Sequence, residues 1–94
     1  MVSLESLEGV IDGYLWYHYD LSHDVLYLRL LAKMQAETYA EERPDGILVL
    51  RTAAEEKAVG LTIVNWWKRF GVGAIPDSLR LLQAQIEPWA NKVA

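Results

Sequence analysis

The residues best able to do chemistry are His18, Asp20, His23 and Asp24. Imidazole and carboxylate together make a donor set for zinc or another divalent ion. The same pairing lets a carboxylate tune a histidine for general acid–base work. The spacing argues against both. His18 and Asp20 fall on one face of a strand, His23 lies across a loop, and no helical i, i+4 pair fixes any of them. No nucleophile motif, glycine-rich phosphate loop or oxyanion arrangement accompanies them. The simpler account is a turn held by side-chain-to-backbone hydrogen bonds, which Asp and Ser favour. No cofactor is expected. A small metal-dependent enzyme using these four residues ranks third among the functional readings.

A second constellation is Trp66-Trp67-Lys68-Arg69-Phe70. Aromatic residues beside cations can stack on single-stranded bases or anchor at a membrane surface. Only two cations stand here, and the whole chain is acidic, with a net charge of −4. An acidic domain lacks the electrostatic footprint of a nucleic-acid binder. The simpler account is aromatic packing where a strand hands over to a helix. Neither nucleic acid nor membrane is expected as a partner. No apolar run reaches the length of a span, and the start lacks a signal peptide's basic region, so a cytoplasmic protein is expected. The absence of cysteine excludes disulfides, thiolate metal sites and a cysteine nucleophile.

The elements that position these residues begin with a hairpin. Tyr14 to Tyr19 is rich in aromatics, which suit a pleated, half-buried surface. Val25 to Leu31 alternates by two: Leu26, Leu28 and Leu30 point to a core, while Val25, Tyr27 and Arg29 form a mixed face, wet or covered by a partner. Asp20 to Asp24 make the loop. Among Tyr17, Tyr19 and Tyr27, at least two are expected in the core, and the tyrosines are also candidate interface anchors.

The run Tyr19-Asp20-x-x-x-Asp24-x-Leu26-Tyr27-Leu28-x-Leu30 resembles the opening signature of the domain of unknown function 2283 family. The pattern continues in Ala36-Glu37-Thr38, Gly46-Ile47-Leu48-Val49 and Val59-Gly60-Leu61-Thr62-Ile63, so the likeness spans roughly residues 14–65. Two departures stand out. Glu56-Lys57 occupies a turn where the family usually has Gly, and Thr62 stands where it often has Glu. The resemblance implies a compact antiparallel sheet of the kind found in small bacterial proteins, some of which look like partners in toxin–antitoxin-type gene pairs. It implies no activity.

The remaining segments follow from local signals. Ser3 to Ile11 reads as a short helix, with Ser3 as cap and Leu4, Leu7, Val10 and Ile11 on one stripe, ended by Asp12-Gly13. Ala32 to Arg43 reads as a connecting loop. Pro44-Asp45-Gly46 is a turn. Ile47 to Thr52 and Val59 to Asn65 are further strands, and Gly71-Val72-Gly73 is a joint. Ile75-Pro76-Asp77-Ser78 opens a final helix. Its apolar stripe is Leu79, Leu82, Ile86, Trp89 and Val93, and Pro88 is expected to kink it or end it near Glu87.

Together these predict one α+β domain over residues 1–94. It has a mostly antiparallel sheet of about four strands (about 14–65), a short N-terminal helix and a C-terminal helical segment (about 76–93). Four Trp, five Tyr and 52% hydrophobic residues are generous for 94 residues. Some of that surface is therefore expected between subunits. The leading functional expectation is a non-catalytic, self-associating interaction module, most simply a homodimer, with Trp66, Trp67, Leu79, Leu82, Ile86 and Trp89 at the interface. The second is an antitoxin-like regulator that binds a partner protein.

Overall fold

The centre of the molecule is built by period-two alternation. The computed structural model describes residues 6–76 and 78–93. Strand β2 (Leu15–Asp20) buries Leu15, Tyr17 and Tyr19 and leaves Trp16, His18 and Asp20 partly open. Strand β3 (Val25–Leu30) pairs with it antiparallel, opposing Tyr17 to Leu28 and Tyr19 to Leu26. Leu26 and Leu28 are buried and Tyr27 is exposed. Two of the three tyrosines therefore belong to the core.

The segment read as an N-terminal helix is instead strand β1 (Ser6–Ile11), antiparallel to β2. Ser3, its expected cap, lies outside the described residues. Leu7, Gly9 and Ile11 turn inward and Ser6, Glu8 and Val10 outward. The reason is Asp12-Gly13. Both residues have positive φ (50° and 71°), and the Tyr14 amide donates to the Ile11 carbonyl at 3.1 Å. That is a two-residue turn whose twist suits a hairpin. Gly9 opposes Tyr17, and a Cβ on Gly9 would sit 2.6 Å from the phenol oxygen. The strand thus carries a glycine so that the Tyr17 ring can lie across it.

The expected loop before Pro44 also contains a strand. A 3-10 turn (Leu31–Lys33) is followed by β4 (Thr38–Glu42), antiparallel to β5 (Leu48–Thr52). Thr38 is half-buried and the rest of β4 is exposed, so no buried face imprints a hydrophobic period on it. Arg43 to Gly46 form the connecting turn, where the Gly46 amide bonds the Arg43 carbonyl at 2.9 Å and Gly46 has φ 85°. Strand β6 (Ala58–Val64) pairs with both β5 and β3. Among the described residues the sheet therefore has six strands rather than four, in the order β1-β2-β3-β6-β5-β4, all antiparallel. It consists of two three-stranded meanders joined where β3 meets β6.

Helices α1 (Trp66–Phe70) and α2 (Leu79–Val93) cover one face of this sheet. Leu82, Ile86 and Ala90 of α2 are fully buried against Tyr17, Tyr19, Leu26 and Ile63. The Tyr17 hydroxyl donates to Glu87 at 2.8 Å and Tyr14 to Asn91 at 2.7 Å, fixing the helix over β2. Pro88 does not end the helix, which runs on to Val93. Pro88 and Ala84 both face solvent, so water can meet the carbonyl that Pro88 leaves without an amide partner.

Candidate functional site

The two aspartates of the hairpin loop do different things. Asp24 has left-handed backbone geometry (φ 54°), which Asp tolerates better than most residues. That conformation aims its carboxylate at the start of α1. One oxygen accepts from the Tyr19 hydroxyl at 2.6 Å and the Trp67 amide at 2.7 Å; the other accepts from the Lys68 amide at 3.1 Å. The Asp24 carbonyl also accepts from the Trp66 amide at 3.0 Å. Asn65, at the cap position itself, offers no side-chain bond. Asp24 therefore caps α1 from the start of the adjacent strand, meeting donors that a helix start leaves free. Burial raises the Tyr19 hydroxyl well above its ordinary range, and the bond to Asp24 adds to that.

Asp20, Ser22 and His23 form a separate surface cluster. Ser22 donates to Asp20 at 2.8 Å, and the other Asp20 oxygen lies 2.8 Å from His23 Nδ1. The bonds from Ser22 and then His23 hold the Asp20 carboxyl below the usual range. Serine, histidine and aspartate side by side invite comparison with a hydrolytic triad, but the connections are wrong. A triad histidine uses one nitrogen for the acid and the other for the nucleophile. Here Ser22 and Asp20 both approach Nδ1, and Ser22 is 3.0 Å from it. His18 lies elsewhere, on the outer face of β2. Its Nδ1 is 4.0 Å from Glu8, and its ring stacks on Trp16 at 6.0 Å. Among the described residues no group of three or more His, Cys, Asp or Glu is placed to hold a metal ion. The four residues singled out by the sequence are thus divided among a helix cap, a surface cluster and an outer sheet face.

The aromatic-basic segment is α1. Trp66 and Trp67 are buried, and Trp66 is flanked by Tyr19 and Trp89 in edge-on contacts at 5.5 and 5.7 Å. Their ring faces are occupied within the chain. Leu82 and Ile86 lie in the same core, with Trp89 packed against it. The side chain of Leu79 lies outside the described residues. Arg69 reaches the Asp45 carbonyl at 2.8 Å, tying α1 to the β4–β5 turn.

The sequence exposed only part of the second face of the sheet, the mixed face of Val25, Tyr27 and Arg29 on β3. Strand register lines up one row of outward residues across all six strands: Glu8, His18, Tyr27, Thr62, Leu48 and Glu42. A second row runs Val10, Trp16, Arg29, Gly60, Leu50 and Ala40, and a third holds Ser6, Asp20, Val25 and Val64. No described helix covers this face. Tyr27 is 37% exposed, Val10 46% and Val64 44%. Trp16 is half-buried and donates its indole N–H to Glu8 at 2.8 Å. The Tyr27 ring lies 5.9 Å from that of His18, so Trp16, His18 and Tyr27 form a continuous ring cluster. The alternation of β2 and β3 carried the signal for this face; the extent of the face required β1, β4 and the register. On the opposite side of the molecule an open groove of about 430 Å³ runs along α2 past Arg80, Gln83 and Glu87. The Glu87 carboxylate there is already engaged by Tyr17 and Gln83, each at 2.8 Å.

No family model matches the chain. Neither the curated proteins nor the solved structures include a significant match to it. No helix among the described residues is long and apolar enough to cross a membrane.

Proposed function

We propose that the chain is a non-catalytic module that works by self-association, most simply as a homodimer. The observation that carries this is the half-covered sheet: helices close one face, while the other presents Val10, Tyr27 and Val64 to solvent, with Trp16 half-buried among them. Apolar and aromatic side chains left exposed together on one uncovered face are a recognised mark of an interaction site. A catalytic role has less support, because the polar groups of the hairpin loop bond one another and the start of α1. Light scattering coupled to size exclusion, at micromolar concentration, tests the proposal. Twice the 10.7 kDa chain mass is expected. A monomer across the accessible concentration range would overturn it.

A further inference from the structure

Resting on that reading of self-association, we infer that the partner is a second copy and that the contact is a face-to-face stack of the open sheet surfaces, centred on β3 and β6. The layout of the face is that of an interface. Its middle strands carry Val25, Tyr27, Val64, Leu48 and Leu50, while its acids stand at the margins: Glu8 on β1, Glu42 on β4 and Asp20 at the loop end of β2. An apolar centre with a polar rim is the usual anatomy of a specific contact. Arg29, in the second outward row, is held within the chain by the Ala36 carbonyl at 3.0 Å.

Size agrees. Six strands about 4.8 Å apart and roughly 18 Å long give a flat footprint on the order of 500 Å². Side-chain relief brings the accessible area toward the roughly 800 Å² per partner of a standard interface. Twisted sheets stack well in this way, with strand directions offset by about 30°.

The other routes to a dimer are poorer. The apolar stripe of α2 is buried in its own core, with Leu82 and Ile86 at 0% exposure. Pairing β4 with β4 would set Glu41 and Glu42 close to their counterparts, and like charges across a ladder oppose pairing. Charge also separates a second copy from a basic partner. Two chains of net charge −4 repel at a distance, so the contact must be apolar and short-ranged. Salt therefore tightens a stack of two copies and loosens a contact with a basic protein.

The test is light scattering on the full chain at low and high salt, with Tyr27→Glu, Val64→Lys and the edge-strand control Tyr39→Lys. All three positions are exposed, and circular dichroism with a thermal melt confirms that each variant keeps the fold. The expected result is a dimer strengthened by salt and weakened at least about tenfold by either face substitution, with Tyr39→Lys unchanged. If folded Tyr27→Glu and Val64→Lys remain dimeric, the stacked-face geometry is overturned while self-association stands. If the unmodified chain is a monomer, both fall. A dimer that loosens with salt also overturns the apolar stack.

Discussion

Removing the Asp24 carboxylate strands three donors at once: the Tyr19 hydroxyl and the Trp67 and Lys68 amides. Cap substitutions alone cost about 0.5–2 kcal/mol, and leaving a partly buried donor unmet adds about 1–3 kcal/mol. Asp24→Ala also forces alanine into left-handed geometry. A loss of roughly 2–4 kcal/mol is expected in urea titrations. Asp24→Asn keeps one acceptor and tolerates that backbone, so it costs less. Asp20→Ala, in the exposed cluster, changes the midpoint little. An equal cost for Asp20→Ala and Asp24→Ala would contradict the assignment of the cap. Tyr17 supplies a pH signature at the same scale. Burial, and then the bond to Glu87, push its hydroxyl from 10.0 up to about 12. Because the folded value is the higher one, the neutral phenol contributes stability that is fully present below pH 10 and lost as pH rises toward 12. Tyr17→Phe should therefore flatten the alkaline fall in melting temperature over that window, without abolishing it, since Tyr19 is raised as well. Identical alkaline profiles for the two proteins would show that Tyr17 does not carry it.

Elements with one buried face were legible in the sequence, and elements without one were not. Leu26, Leu28 and Leu30 announced β3 because burial acts on every second residue. Strand β4 shows no such pattern, since exposed Tyr39, Ala40, Glu41 and Glu42 meet almost no packing constraint and β4 is held by its ladder to β5. Strand β1 was hidden differently: Leu7 and Ile11 satisfy a helical spacing as well as a strand's, and the inward position between them is Gly9. Asp12-Gly13 was the decisive signal, a hairpin turn that also resembles a helix stop. The cap by Asp24 could not be read locally, because its donors lie more than forty residues along the chain. Pro88 marks the opposite limit, where a strong local rule yields to tertiary packing: Ile86 and Ala90 on either side are buried and hold α2 together. Pro88→Ala restores an amide for the Ala84 carbonyl. It should stabilise the domain by about 1–2 kcal/mol, the helical gain being partly offset by a freer unfolded chain. A lowered melting temperature would mean that Pro88 makes a contact not accounted for by the helix alone.

At the scale of the whole molecule, the two faces of the sheet assign different jobs to apolar surface. The inner face and α2 make the core; the outer face is the surface proposed for association. Substitutions on the two sides should therefore fail in different ways. Leu82 and Ile86 are at 0% exposure, one turn apart, against Tyr17, Tyr19 and Ile63. Changing both to glutamate removes their packing, at about 2–5 kcal/mol each for truncation alone, and adds the cost of burying charge. A domain of this size has a stability of about 5–15 kcal/mol, so the double variant should not fold. The expected record is loss of near-ultraviolet circular dichroism from the Trp66 and Tyr19 environment, together with a cooperative melt that disappears. Tyr27→Glu, on the outer face, should keep both signals and change only the mass in solution. A folded monomer from Leu82→Glu with Ile86→Glu would place the helix stripe between subunits and remove α2 from the core of its own chain.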